Sequence, residues 1–338
     1  MRISFEEMVQ TIQKAFELAG LSPEKARQCA TIHAESSRDG VYSHGLNRVP
    51  RFIDYIQQGW VHVEAECSIE INLGAIEVYN GNLGPGVLNA TFSMQRATEI
   101  AKQYGLGLVT LNNTNHWMRG GTYGWQAAEK GLIGICWTNT ESCMPSWGAI
   151  NNNIGNNPFV IAIPRKEGHV VLDMAMSLYS YGKLEVTRQK GQKLPYAGGF
   201  DTNGNLTDDP AAIELTRRIL PTGYWKGSSL AIVLDLLAGI LSKGKTTAEI
   251  DQFGNGNSVG LSQVFLAIDP LKIVDQTFMD ESLSKTIEQL RNSTAVDEKG
   301  EILYPGERSM RTRTENLKLG IPVDKEVWEK VQNLAKKQ

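Results

Sequence analysis

A change of hydrophobic period near residue 70 constrains this chain more than any other feature. Upstream, apolar residues recur at helical spacing; downstream, short β-rich runs alternate with amphipathic helical stretches. Ala75–Tyr79 reads as a strand, Val87–Tyr104 as a helix closed by Gly105, and Gly107–Leu111 as the next strand. Thr122–Lys130 then reads as a helix, with strands at Leu132–Thr138, Phe159–Ile163, His169–Met174 and Leu261–Ile268, and a helix at Ser282–Leu290. Such alternation commits the chain to an α/β core built on a substantial sheet. Gly227–Leu241 is apolar nearly all round, so it is expected to be enclosed. Its apolar core, Leu230–Leu241, falls short of the ~18 residues that suggest a membrane span.

The first sixty residues read as three helices. Ser4 and Glu7 form a capping box ahead of Phe5, Met8, Ile12 and Ala15. Ser22-Pro23-Glu24 opens a second helix with the small inner stripe Ala26, Cys29, Ala30, His33 and Ala34. A third starts near Pro50, carries Phe52, Ile53 and Ile56 and ends at Gly59, with His44–Asn47 as the turn before it. The polar last forty residues are expected to pack against this part or a second subunit. The expected organisation is a helical lobe from residues 1–70 and 291–338 around a central α/β domain, 71–290.

Composition limits the partners. With 338 residues, 41% hydrophobic and 21% charged, the chain has the make-up of a soluble globular protein. A net charge of -3 gives no general attraction to nucleic acid or an anionic membrane. Four cysteines without a CxxC pair argue against a zinc ribbon and for reduced thiols. The start MRISFEEMVQ lacks the basic-then-apolar run of a signal peptide, so a cytoplasmic location is expected.

Two stretches carry chemistry. GVYSHGLNRVPRFI, Gly40 to Ile53, sets His44 four residues before Arg48. An imidazole that trades a proton near neutral pH thus lies near a fork that grips a carboxylate, the pair a 2-oxo or 2-hydroxy acid redox site needs. Either residue alone fits an ordinary surface turn. NTNHWMRGGTYGW, Asn113 to Trp125, places His116 just after a strand, where ligand loops of α/β sheets gather, with Gly120 and Gly121 permitting close backbone approach. Trp117 and Trp125 could wall a pocket, although Trp125 fits a core position equally well. No HxH, HxxxH or HxxE spacing supports a metal, and the GxSxG elbow of a hydrolase is absent. No GxGxxG joins a strand to a helix; GNGNSVG, Gly254 to Gly260, has the wrong spacing and reads as a loop. Trp225-Lys226-Gly227 and Pro305-Gly306-Glu307-Arg308 remain as possible anion seats at helix starts.

Along its whole length the chain resembles the malate/L-lactate dehydrogenase family that does not use a Rossmann fold. The resemblance rests on YSHGLNRVPRF, NNTNHWMRGGTYGW, IGNNPFVIAIP, VVLDMAMS, GYWKGSSLAIVLDLL, GLSQVFLAID and PGER. Likeness is closest to members that reduce a diketo sugar acid, through GVYSHG, NHWMRGG, YGWQAAEKG, GICWTN, SYGKLEV and GGFDTNGNLT. It implies a homodimeric enzyme that binds NADH or NADPH on a large mixed sheet and acts on a 2-oxo sugar acid. Carried over by motif, His44 is the proton donor, with Arg48 and His116 around the substrate. Cofactor contacts map to His169, Val170, Val171, Leu172, Asp173, Met174 and Ala175, to Trp225 and Lys226, and to Gly306, Glu307 and Arg308. Many members have threonine where this chain has Met176, which would remove a hydroxyl beside the cofactor. Substrate choice is expected to lie in Glu141–Trp147. Malate, lactate and ureidoglycolate remain rival substrates; an isomerase, a lyase or a non-catalytic sugar-acid binder remain rival functions.

Overall fold

The computed structural model describes residues 1–254, 258–296 and 300–336; positions 255–257, inside GNGNSVG, lie outside them. The chain opens with β1 (Arg2–Ile3) and three helices, α1 (Phe5–Leu18), α2 (Pro23–Arg38) and α3 (Val49–Gln57). The Ser4 and Ser22 hydroxyls accept the N–H groups of Glu7 (3.2 Å) and Lys25 (3.4 Å), as the capping pattern predicts. Between α2 and α3 the chain makes two 3-10 turns, Tyr42–His44 and Leu46–Arg48. Pro50 sits in the first turn of α3, where its missing N–H costs nothing.

The large sheet takes β2 (Ser68–Asn72), β3 (Ile76–Asn80), β4 (Leu106–Asn115) and β5 (Ile133–Thr138) from the next stretch. Helix α4 (Gly86–Tyr104) crosses between β3 and β4, ending on Gly105 at φ +90, and α5 (Gly121–Ala128) follows β4. A separate hairpin, β6 (Met144–Pro145) with β7 (Asn152–Ile154), precedes β8 (Phe159–Ile163) and β9 (Val170–Met174). An excursion then carries α6 (Tyr181–Gln189), β10 (Gly199–Phe200), β11 (Leu206–Thr207) and α7 (Pro210–Thr216) around its own cluster of Leu184, Leu194, Ile213 and Ile219. After α8 (Trp225–Ser242) and α9 (Thr247–Gly254), β12 (Val259–Ile268) enters the middle of the sheet, giving the order β2-β3-β4-β12-β5-β8-β9. Among the described strands only β3 and β4 run parallel, so this is a large mixed sheet and not a doubly wound one.

One face of the sheet is covered by α4 and α5, whose Met94, Ala97 and Tyr123 meet Val109, Leu111 and Phe265. On the other face Ala231, Leu234 and Ala238 of α8 pack on Trp137 and Val264. The expectation that α8 is enclosed does not hold within this chain. Ile232, Val233, Leu236 and Ile240 are exposed, the last by 69%, because a helix lying on a sheet is covered along one stripe only. The remaining helices are α10 (Gln276–Arg291), α11 (Glu307–Leu319) and, after β13 (Ile321–Pro322), α12 (Lys325–Leu334). Strand β1 pairs with β13, and Trp328 and Val331 join Met8, Ile12, Phe16 and Phe52 in one cluster.

One ion-pair knot ties these parts together. Asp39, the last residue of the α2 turn, is 4% exposed and accepts from Arg38 Nε (2.8 Å), Arg119 Nη1 (2.7 Å) and Arg313 Nη2 (2.7 Å). Arg119 lies between β4 and α5, and Arg313 on α11 places its guanidinium 4.6 Å from the Trp125 ring. Burial alone would raise the Asp39 pKa. Hydrogen bonds from Arg313 and Arg38 and the charge of Arg119 overcome it and hold the carboxyl at about 2. A carboxyl held below its unfolded value stabilises the fold at neutral pH and loses that contribution as pH falls from about 4 towards 2.

Asp39→Ala leaves three arginines facing a buried gap and should cost about 3–5 kcal/mol at pH 7 by urea unfolding. A loss under about 1 kcal/mol, the worth of an exposed pair, would contradict the role given to the knot.

Candidate active site

His44 closes the first 3-10 turn after α2. Gly45 lets the turn lie against that helix: a Cβ there would sit 2.8 Å from the His33 carbonyl oxygen and 2.7 Å from the Ser37 nitrogen. The Leu46 N–H donates to Ser37 Oγ at 2.8 Å and fixes the turn. His116 projects from the end of β4 on a loop whose flanks are in the left-handed region, Asn113 at φ +50 and Met118 at φ +62. Such backbone persists only where the surroundings hold it. Here Asn115 Nδ2 donates to the carbonyls of Leu83 (2.7 Å) and Gly84 (3.0 Å), and the Tyr123 hydroxyl to that of Trp117 (2.6 Å).

The two imidazoles lie nearly parallel, 13° apart with centroids at 5.6 Å. The Met118 N–H donates to His116 Nδ1 at 3.0 Å. That bond puts the proton of the neutral ring on Nε2, so His116 offers a fixed donor. Its pKa lies well below the ordinary value, through burial first and then the charges of Arg48 and His44. His44 Nδ1 is 3.1 Å from Ser43 Oγ. Burial, then Arg48, Arg119 and His33, push the His44 pKa down to about 4.

His44, Arg48 and His116 line one cavity of about 480 Å³. Arg51, Glu141, Tyr181, Arg217 and Ser258 complete its polar wall. Arg51 Nε donates to the Tyr55 hydroxyl (2.6 Å), and Glu141 accepts from Ser258 (2.7 Å). Cations therefore outnumber carboxylates around this space, which suits an anionic ligand. Sequence reading placed Glu141 in a region near the pocket but missed Arg51, three residues after Arg48, and Tyr181, Arg217 and Ser258, which arrive from distant segments. Trp117 and Trp125 do not wall the cavity; both are buried, Trp117 on Tyr123 and Phe265, Trp125 against Arg313 and His169.

The residues expected to hold a cofactor lie on a neighbouring stretch. Strand β9 carries Val170 to Met174, with His169 before it and Ala175 after it. The Val171 N–H donates to the Pro305 carbonyl (2.8 Å), and at Gly306, φ +94, a Cβ would lie 3.0 Å from the Val171 nitrogen. The 305–308 turn is thus seated on β9. The Glu307 carboxylate is engaged by Arg311 (2.6 Å) and Arg291 (3.3 Å), and Arg308 is exposed. Asp173 accepts the Gly121 N–H (3.0 Å) and lies 3.5 Å from Arg119 Nε, so one of its oxygens is already committed. His169 takes the Arg165 N–H on Nδ1 (3.1 Å).

Beyond β9, the Thr222 N–H meets the Met176 carbonyl (2.7 Å), and Trp225 and Lys226 open α8 just after it. Met176 is fully buried with Trp137, Met144 and Leu234, so its side chain faces the core and not a ligand beside β9. Two long-helix N-termini, of α8 and α11, therefore flank one strand, and the buried Ser177 Oγ at its end has no hydrogen-bond partner among the described residues. Positive helix ends and an open hydroxyl fit an anionic dinucleotide. The Asn156 carbonyl, which accepts the Met176 N–H (2.7 Å), joins this stretch to the cavity, whose wall includes Asn156.

The profile of a family described as malate/L-lactate dehydrogenase matches residues 3–332. The 2,3-diketo-L-gulonate reductase of Citrobacter koseri is 46% identical over 334 residues, 99% of this chain and 100% of that protein. Malate dehydrogenase from Pyrococcus horikoshii superposes with a TM-score of 0.90 at 29% identity, covering 99% of this chain and 94% of that one. Sulfolactate dehydrogenase from Methanocaldococcus jannaschii gives 0.87 at 28% identity, covering 99% and 96%.

Proposed function

Because the chain belongs to the malate/L-lactate dehydrogenase family, and is an oxidoreductase acting on a CH–OH group with a nicotinamide cofactor, we propose that it reduces the C2 ketone of 2,3-diketo-L-gulonate to 3-keto-L-gulonate. The substrate rests on the full-length relative of that name; the chemistry rests on His44, Arg48 and His116 sharing one cavity beside β9. Backbone of β9 and of the 305–308 turn, with Trp225 and Lys226, would hold NADH or NADPH, which when bound supplies the hydride.

The Arg48 fork takes the C1 carboxylate, which fixes the ketone's position and removes part of the entropic barrier. His116 Nε2–H donates to the ketone oxygen or its neighbour and stabilises the charge that gathers there. His44 delivers a proton to that oxygen as general acid. In the ligand-free cavity His44, at about 4, is neutral near pH 7, well below the reference of about 6.5 from which sequence reading starts. A bound carboxylate offsets the Arg48 charge, raises the His44 pKa and brings the proton in with the substrate. For oxidation of the hydroxy acid, neutral His44 is already the base required.

His44→Asn should lower turnover by roughly 10²–10⁴ while the affinity for reduced nicotinamide holds, and Arg48→Lys should raise KM more than it lowers kcat. Unchanged turnover in the first variant would remove His44 from the chemistry. Reduced-nicotinamide absorbance with a panel of 2-oxo acids separates this substrate from malate- and lactate-type acids; no oxidation with any acid would favour an isomerase, lyase or binder.

Helix α8 has the length and apolarity to cross a membrane, yet Ala231–Ala238 packs on the sheet and Trp137 Nε1 donates to its Leu234 carbonyl (3.1 Å). We read its outer face, with Val233, Leu236 and Ile240, as the contact of a cytoplasmic homodimer. Val233→Glu combined with Ile240→Glu should halve the mass found by sedimentation velocity; an unchanged mass would place the contact elsewhere.

A further inference from the structure

We propose that Arg217 is a specificity-determining residue that grips the oxygen-bearing far end of the substrate, so that the cavity favours long 2-oxo acids over three-carbon ones. The inference rests on reading this cavity as the site of a 2-oxo acid reductase. Arg217 belongs to the excursion after β9, which leaves and rejoins the body at a narrow neck: Leu178 N–H donates to the Leu220 carbonyl (2.8 Å), and Ser177 bridges Pro221. The start of α6 returns to the His44 turn, where a Cβ on Gly182 would meet Ser43 Cβ at 3.0 Å. Ser180, Tyr181, Gly182 and Arg217 therefore form a wall separate from the one in which Arg48, ending the second 3-10 turn, and Arg51 of α3 stand.

The backbone of Arg217 is held firmly. It caps α7 in the left-handed region at φ 55, its N–H bonded to the Ile213 carbonyl (2.8 Å). Its own carbonyl accepts from the Tyr181 hydroxyl (3.1 Å), which also donates to the Cys143 carbonyl (2.8 Å). The other arginines of the excursion are engaged within it, Arg188 with Glu214 and Arg218 with the Asp201 carbonyl. Among the described residues the Arg217 guanidinium has neither a hydrogen bond nor an ion pair, and it lines the cavity. Glu141, the carboxylate in the same wall, is bonded to Ser258. A second open fork, besides Arg48, calls for a second oxygen-bearing group on the ligand: the hydroxyls of a sugar-acid tail or a distal carboxylate.

The test compares kcat/KM for pyruvate, oxaloacetate and 2,3-diketo-L-gulonate in the wild type and in Arg217→Met. Arg217→Asn serves as the second variant, since asparagine tolerates left-handed backbone if Met disturbs the fold. The expected loss is about 10–100-fold for the two long acids, the worth of a charge-assisted hydrogen bond, with pyruvate changed less than about threefold. Equal losses for all three acids, or none for any, would overturn the proposal. A wild type that reduces oxaloacetate but not the sugar acid defeats the substrate assignment above and leaves Arg217 to be judged on oxaloacetate. Should no acid turn over, calorimetric affinities of the three acids carry the same comparison, and absence of binding overturns both readings.

Discussion

Three guanidinium groups close on one buried carboxylate, Asp39, and the site depends on that closure twice over. Mechanically, it pins the end of α2, the His116 loop and α11 to one point, so the two imidazoles, which come from residues far apart in sequence, keep a fixed spacing. Electrically, that carboxylate is already engaged by its three arginines. The cavity lined by His44 and His116 keeps an excess of positive charge, with Arg48, Arg51 and Arg217 facing Glu141. Burial first and then these cations lower the His44 pKa, and on the proposed reading an anionic ligand raises it again.

The mixed sheet explains how a nicotinamide enzyme can lack the glycine fingerprint. With one parallel pair among its described strands, β3 and β4 joined by α4, the sheet has no row of parallel strand ends facing a common crevice, where a dinucleotide-binding sheet cradles its pyrophosphate. The fold instead brings the starts of α8 and α11 to β9, an edge strand. On the proposed reading the same electrostatic device would be assembled from segments far apart in the chain.

How much was legible in the sequence follows from the range of each interaction. Caps at Ser4 and Ser22, the Gly105 stop and the span of β8 depend on neighbours within a few residues and were readable. So was the pairing of His44 with Arg48, one short turn apart. The longer reach of β4, to Asn115, escaped because its later residues are polar yet buried against Leu83 and Gly84. Periodicity said that α8 is apolar but not what covers it, and its outer side is bare in this chain. No local pattern singles out Asp39, whose partners besides Arg38 lie 80 and 274 positions away. Arg217 and Tyr181 reach the cavity only through the neck at 176–178 and 220–222, which no local pattern announces.

The central claim is that the arriving acid charges the imidazole that protonates it. Profiles of kcat and kcat/KM for reduction, measured from pH 5 to 9, test this most directly, because one reports the loaded and the other the free enzyme. With His44 near 4 in the free enzyme, kcat/KM should fall about tenfold per pH unit across this range, whereas kcat should hold to a distinctly higher pH. Two profiles that bend at the same pH, or a flat kcat/KM, would contradict it.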